Sequence, residues 1–185
     1  MIVLNGTTET TNLLISEEEI RNRIFELAVD IARYYKDEEF TILCVLKGGF
    51  IFGADLYRDI YRMNQNVELE FIKASSYGNG LDSSGEVDIE ASSLDIIKNK
   101  NILIVEDIID RGYTLKNLKN LLIAAEAKSV RICALLDKHE RRIVDIEADY
   151  VGFKIPNEFV IGYGIDYAEK YRGLSEIHTL KLFNK

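Results

Sequence analysis

The sequence is short of several things, and each shortage removes a class of protein. Its 185 residues hold two cysteines and two histidines. Cys44 lies in "FTILCVL" and Cys133 in "VRICALL", both inside apolar runs and neither in a C-x-x-C pair. That excludes a disulfide framework; buried free thiols in a reducing cytoplasm are expected. Neither His139 nor His178 has neighbours that suggest a zinc site or a catalytic triad, so both are expected to be structural or exposed. No apolar run approaches the roughly 18 residues of a membrane span. The stretch "MIVLNGTTETTNLL" lacks the basic start and long apolar segment of an export signal, so export is not expected. Basic tracts are missing too. Lysine and arginine total 23 against 31 acids, a net charge of −8. General nucleic-acid affinity needs clustered positive charge, so no nucleic-acid partner is expected. An acidic chain can still hold an anionic metabolite with backbone N–H groups, a few cations or a bridging metal. There is no internal repeat, no low-complexity tract and no Pro/Gly/Ser-rich linker, so residues 1–185 are expected to form one domain.

What is present is an alternation of two patterns. Hydrophobic residues make up 47% of the chain, ordinary for a globular protein. "SEEEIRNRIFELAVDIARYYK" predicts an amphipathic helix: Ser16 and Glu19 form a capping box, and Ile20, Ile24, Leu27, Ala28 and Ile31 share a face. "FTILCVL" (40–46) is short, apolar and branched, the pattern of a strand covered on both faces. "KGGF" breaks it and a helix follows. "VELEFIKAS" (67–75) alternates like a strand, and "SYGNGLDSSGEVD" (76–88) reads as a loop. "NILIVED" (101–107), the helix "TLKNLKNLLIAAEA" (114–127) and the strand "VRICALLD" (130–137) continue the series. Less regular strand-like pieces close the chain. Such alternation predicts βαβ units and a parallel sheet, with ligands bound beyond the carboxyl ends of its strands. "LKGG", "VEDIIDRGYT" and "LLDK" all fall at such ends.

"VEDIIDRGYTL" carries the chemistry. The helix after it opens near Thr114, where its first N–H groups lack partners and carry partial positive charge. Gly112 lets the backbone approach a ligand and Thr114 adds a hydroxyl, which together suit a phosphate group. The turn is not a Walker A loop. Glu106 and Asp107 at the strand end would repel a phosphate; they make sense as acceptors for sugar hydroxyls or as ligands of Mg²⁺. Phosphate, ribose and metal in one turn point to a phosphorylated ribose.

This pattern resembles the phosphoribosyl-diphosphate motif of the type I phosphoribosyltransferases. The rest of the chain is similar to their 6-oxopurine branch, from "LISEEEI" through "LKGGFIFGADL", "SSYG", "VEDIID" and "LLDKHERR" to "VGFKIPNEFVIGYGIDYAEKYRGL". The resemblance implies an α/β fold: a central, mostly parallel sheet flanked by helices, a small hood from the chain termini, and a mobile loop. It implies transfer of ribose 5-phosphate from phosphoribosyl diphosphate to a 6-oxopurine in purine salvage. Mg²⁺ and a cytoplasmic homodimer or homotetramer are implied as well.

By the same resemblance, Glu106 and Asp107 would hold the ribose hydroxyls and take part in Mg²⁺ binding, with Asp166 helping to place a second ion. Asp110 would sit near N7 of the purine as general base. Lys47 and Gly48 would offer N–H groups to the diphosphate, next to a cis peptide between Leu46 and Lys47, and Arg172 would bind diphosphate through its planar fork. Arg111, Gly112, Tyr113 and Thr114 would form the 5′-phosphate turn. Lys138 would donate to O6 of the base, favouring 6-oxopurines because an ammonium has no acceptor for an amino group. Phe159 would stack on the ring, and Val160 would offer main-chain contacts. Ser76 and Tyr77 would open a loop that closes over the site and excludes water.

The chain departs from the family at the phosphate turn, which usually reads D-T-G-x-T or D-S-G-x-T. Here Arg111 replaces the small hydroxyl residue. Two outcomes are open: Arg111 folds in to pair with the phosphate, or points to solvent and leaves the work to N–H groups and Thr114. The second is the expectation, because the cradle is small and arginine long. "GFKIPNEF", with Lys154 and Glu158, is a milder departure, and neither residue is expected to touch the base. The competing expectation is a non-catalytic nucleotide- or RNA-binding regulator on the same fold.

Overall fold

The computed structural model describes residues 8–73 and 97–183. The proposed loop, with Ser76 and Tyr77, lies outside the described residues. The chain runs β1 (Thr8–Ile15), α1 (Glu17–Tyr35), β2 (Phe40–Leu46), α2 (Phe50–Tyr61), β3 (Val67–Lys73) and β4 (Asn101–Ile109). It continues with α3 (Tyr113–Ala124), β5 (Ser129–Asp137), a 3₁₀ turn at His139–Arg141, β6 (Tyr150–Lys154), β7 (Val160–Ile161) and β8 (Ile177–Phe183). Five strands form a sheet in the order β3-β2-β4-β5-β6, every neighbouring pair parallel. The remaining three form an antiparallel sheet, β1-β8-β7, built from the two ends of the chain as expected of a hood.

The parallel sheet is where it is because its central strands are apolar on both sides. Side chains alternate between faces along a strand. Leu43, Ile104 and Ile132 align in register across β2, β4 and β5 and face Leu115, Leu118 and Leu122 of α3. Cys44, Val105 and Cys133 align one step on and face α2 and α1, through Phe52, Leu56 and Ile24. Both cysteines are buried and free, as expected. Each such buried aliphatic side chain contributes about 1.5–3 kcal/mol. Helix α2 lies hard against β2 because residue 53 is glycine: a Cβ there would stand 2.6 Å from the Cys44 sulfur. Helix α1 starts at the predicted box, with the Ser16 N–H donating to Glu19 at 2.9 Å and the Glu19 N–H to Ser16 Oγ at 3.3 Å. No helix among the described residues is long and apolar enough to cross a membrane.

The elements depart from the expectation in places. Strand β1 was not foreseen. Strand β4 runs two residues past Asp107, because Ile108 and Ile109 still pair with Leu136 and Asp137 of β5. Helix α3 ends at Ala124 rather than 127: Glu126 takes a left-handed φ of 60°, and the Ala127 N–H closes the end by donating to the Leu122 carbonyl at 3.1 Å.

Candidate active site

Beyond the carboxyl ends of β2 and β4 lies a cleft of about 1010 Å³. Its walls come from three segments that meet through glycines. After β2 the chain makes a cis peptide between Leu46 and Lys47, and Gly49 then caps α2 without any side-chain hydrogen bond. A Cβ on residue 48 would run into the Asp107 carboxylate, which would have to swing aside. Residue 164 has φ +99°, and a Cβ there would run into the Gly48 carbonyl. The segment after β7 therefore meets the loop after β2 backbone to backbone, and that loop lies against the Asp107 carboxylate at the acidic strand end.

Glu106 is buried and Asp107 half-buried on opposite faces of β4. The Asp107 N–H donates to Glu106 at 3.1 Å, and the Ile108 N–H donates to Asp107 at 2.8 Å. Burial pushes the Glu106 carboxyl well above its ordinary range, and the Asp107 charge pushes it further. Burial raises Asp107 too, opposed by its hydrogen bonds and by Arg172. The pair is thus short of positive charge. A divalent cation would relieve it, and carboxylate oxygens are the donors Mg²⁺ takes. No group of three or more metal-binding side chains is preassembled among the described residues. That suits Mg²⁺, which is commonly held by one or two carboxylates together with substrate oxygens.

The turn between β4 and α3 leaves the start of that helix uncapped by any side chain. Gly112, at φ 91° and ψ −2°, caps α3; no side chain caps the helix and no acid lies in its first turn. Its leading N–H groups are left for an outside acceptor. The turn is held from behind by the segment after the 3₁₀ turn. Arg142 donates from Nε to the Asp110 carbonyl at 3.1 Å, and the Ile143 N–H donates to the Arg111 carbonyl at 3.1 Å. Arg142 also pairs with buried Asp137 at the end of β5. A Cβ on residue 112 would stand 2.6 Å from Ile146 and 2.9 Å from Arg142, so sterics and φ both demand glycine.

Asp110 lies on the cleft wall, with Arg141 Nε 3.0 Å from its Oδ1. That oxygen is enclosed yet accepts no hydrogen bond. Across the cleft Arg172 donates to the Gly164 carbonyl at 2.7 Å and pairs with Asp166 at 2.7 Å.

With this geometry in place, the comparisons are specific. A profile of the "Phosphoribosyl transferase domain" matches residues 13–168. The chain belongs to the phosphoribosyltransferase family. It is 46% identical over 174 residues to a hypoxanthine phosphoribosyltransferase of Haemophilus influenzae, covering 92% of this chain and 96% of that one. It is 46% identical over 170 residues to a hypoxanthine-guanine phosphoribosyltransferase of Staphylococcus epidermidis, covering 92% and 93%. A crystal structure of a hypoxanthine-guanine phosphoribosyltransferase from Bacillus anthracis superposes with a TM-score of 0.81 at 48% identity, covering 91% of this chain and 97% of that one.

Among the residues expected of a phosphoribosyltransferase site, Lys47, Gly48, Glu106, Asp107, Asp110, Arg111, Gly112, Tyr113, Thr114, Asp166 and Arg172 all line the cleft. Arg111 is half-buried there rather than fully solvated. Lys138, Phe159 and Val160 do not line it. Lys138 is buried at the end of β5, where its N–H donates to the Ile109 carbonyl at 2.9 Å; burial lowers its pKa. Val160 is buried in β7 opposite Thr179, so its side chain belongs to the core and only its backbone is left for a ligand. The Phe159 ring is half exposed, with Tyr167 edge-on at 5.6 Å. Sequence reasoning missed Arg141 and Glu169 on the cleft wall and Arg142 behind it. Both arginines stood in the quoted "HERR"; their spacing after Lys138 was the available signal.

Proposed function

We propose that the protein is a purine-salvage enzyme that transfers the 5-phosphoribosyl group from phosphoribosyl diphosphate to hypoxanthine, guanine or both, forming IMP or GMP and diphosphate. One observation carries this: a bare helix N-terminus, a cation-poor acid pair and an aspartate accepting no hydrogen bond at an enclosed oxygen share one cleft. The N–H groups after Gly112, with Thr114 and Tyr113, hold the 5′-phosphate. Glu106 and Asp107 accept from the ribose hydroxyls. Lys47, Gly48 and Arg172 hold the diphosphate. Lys138 donates to O6, Phe159 stacks on the base and Val160 meets its edge through the backbone. As N9 bonds to the anomeric carbon, the bond to diphosphate breaks and takes its electron pair. The N7 proton passes to the Asp110 carboxylate, which lies beside two cations, Arg141 and Lys138. Glu106 and Asp107 would hold Mg²⁺ together with substrate oxygens, Asp166 would help to place a second ion, and the metal would supply charge neutralisation for the departing diphosphate.

The chain acts as one domain, in the cytoplasm, as a homodimer or homotetramer. Two buried free thiols suit a reducing compartment. The regulator alternative has no observation in its favour, and a net charge of −8 opposes an RNA partner. The test is direct: incubate the protein with Mg²⁺, phosphoribosyl diphosphate and each base, and follow nucleotide formation. Turnover with hypoxanthine or guanine is expected. Nucleotide binding with no turnover for any 6-oxopurine would refute the proposal.

A further inference from the structure

Lys47 and Arg172 are tied to each other by a residue to which the transfer reaction gives no part. Glu169 places Oε1 3.1 Å from the Lys47 ammonium and Oε2 3.4 Å from the Arg172 guanidinium. It lines the same cleft. Its position comes from an unusual turn. Ala168, Glu169 and Tyr171 all have left-handed φ, at 51°, 62° and 74°, with no glycine among them. Such backbone is disfavoured for L-residues and is concentrated at functional sites. The turn is closed by the Glu169 N–H donating to Asp166 at 2.8 Å and by reciprocal backbone bonds between Tyr167 and Lys170, at 3.2 and 3.1 Å. The chain therefore accepts an unfavourable conformation where it sets a carboxylate between two cations. Lys47, the main contributor, and Arg172 hold that carboxyl below its ordinary range, so it is an anion at neutral pH.

We propose that Glu169 is a built-in competitor for the diphosphate subsite: its carboxylate shares Lys47 and Arg172 with the diphosphate group and so sets how tightly substrate and product are held. The inference rests on the phosphoribosyltransferase reading above. Its physical basis is an asymmetry of strength. The Lys47–Glu169 pair is about two-thirds exposed on both sides, 61% and 66%, so it is weak and readily exchanged. A diphosphate carries more charge and meets arginine in pairs, so it displaces the carboxylate. The displaced carboxylate stays tethered nearby and repels the bound anion. Loosening substrate and product alike raises the Michaelis constant, and in return the product leaves faster. Product release limits turnover in many enzymes.

The test is Glu169→Gln, which keeps the size of the side chain and removes its charge. Glu169 is exposed, so the variant is expected to fold and melt like the parent, checked by circular dichroism. Binding of inorganic diphosphate is measured by titration calorimetry in Mg²⁺ buffer, beside the Michaelis constant for phosphoribosyl diphosphate. The variant should bind diphosphate about threefold to tenfold tighter, from the pairs with Lys47 and Arg172 lost together. The Michaelis constant should fall by a similar factor, inhibition by diphosphate should strengthen, and kcat should not rise. The difference should shrink at about 0.5 M salt, where surface charges are screened. A merely damaged site binds more weakly, so the sign separates competition from damage. Equal or weaker diphosphate binding by the variant overturns the proposal while leaving the transferase reading intact. A parent protein that neither binds diphosphate nor transfers ribose 5-phosphate overturns both.

Discussion

The two ends of the parallel sheet use carboxylates in opposite ways. At the amino end Glu38 lies 2.9 Å from Lys128 and accepts from Asn101 at 3.2 Å, while Glu68 pairs with Lys100 and accepts from Thr41 at 3.3 Å. Lys128 and Lys100 are the leading reasons both carboxyls sit below their ordinary range. At the carboxyl end Glu106 and Asp107 are raised instead, chiefly by burial. The helices repeat the contrast. The N-terminus of α1 has a full capping box and three acids in its first turn; those of α2 and α3 have neither side-chain cap nor acid. One set of charges and dipoles is satisfied by the chain itself. The other is not: its acids are raised and its helix ends uncapped, as at sites where stability has been given up for binding.

The sharpest way to break this contrast is Asp110→Asn. It removes the proposed proton acceptor and its part-exposed pair with Arg141, and keeps the backbone carbonyl that Arg142 clamps. We expect kcat to fall about 100-fold or more, with little change in melting temperature. A variant that keeps a tenth of its turnover would remove Asp110 from the mechanism.

Next in size is Gly112→Ala. The left-handed φ and the closeness of Ile146 and Arg142 should together cost about 2–4 kcal/mol, read by urea denaturation. Affinity for phosphoribosyl diphosphate should drop with it. Gly173→Ala is the matching control, because a Cβ there meets nothing within 4 Å. It should change stability by no more than about 0.5 kcal/mol. Equal losses in the two would show that the phosphate turn is not held as tightly as the packing indicates.

Most of the fold could be read from the chain, and the reason is local. Strands β2, β4 and β5 are buried on both faces, so each is a short apolar run with polar breaks at its ends. Strand β1 could not be read. "TETTNLLI" has no such pattern, and its partner β8 stands at the other end of the chain, so its pairing creates the strand. The site divides likewise. Glu106 to Thr114 form one contiguous motif whose residue types state their chemistry. Arg141 and Glu169 matter through partners on other segments, at 3.0 Å from Asp110 and 3.1 Å from Lys47, and no local pattern announces them. Lys138, Phe159 and Val160 were expected from resemblance alone, and they do not line the cleft.

A smaller and more telling effect is expected from Glu106→Gln. A carboxyl raised in the folded protein binds its proton more tightly there than in the unfolded chain, whose value is about 4.3. Its favourable contribution is full below that value and is lost as pH rises through the folded one. Above the unfolded value the parent therefore bears a cost, of buried charge or of proton uptake, that the amide lacks. The variant should gain about 1 kcal/mol or more, roughly 2–4 °C in melting temperature, while losing activity. Mg²⁺ should stabilise the parent more than the variant.

The amino end supplies the opposite sign and the smallest effect. Glu68 has a lowered carboxyl pKa, so its contribution is present above about 4.3 and is lost as pH falls through the folded value. Its side chain is 62% exposed, and solvent screening limits the pair with Lys100 to about 0.5 kcal/mol. Glu68→Gln should therefore lower stability slightly at pH 7, leave turnover unchanged, and become indistinguishable from the parent near pH 3. Thermal melts of the Glu68 and Glu106 variants across pH 3–8 test the comparison as a whole. Their differences from the parent should diverge with opposite signs as pH rises. If both curves moved the same way, the two ends of the sheet would not differ in the balance of their charges, and the carboxyl end would lose its strongest physical mark as a binding site.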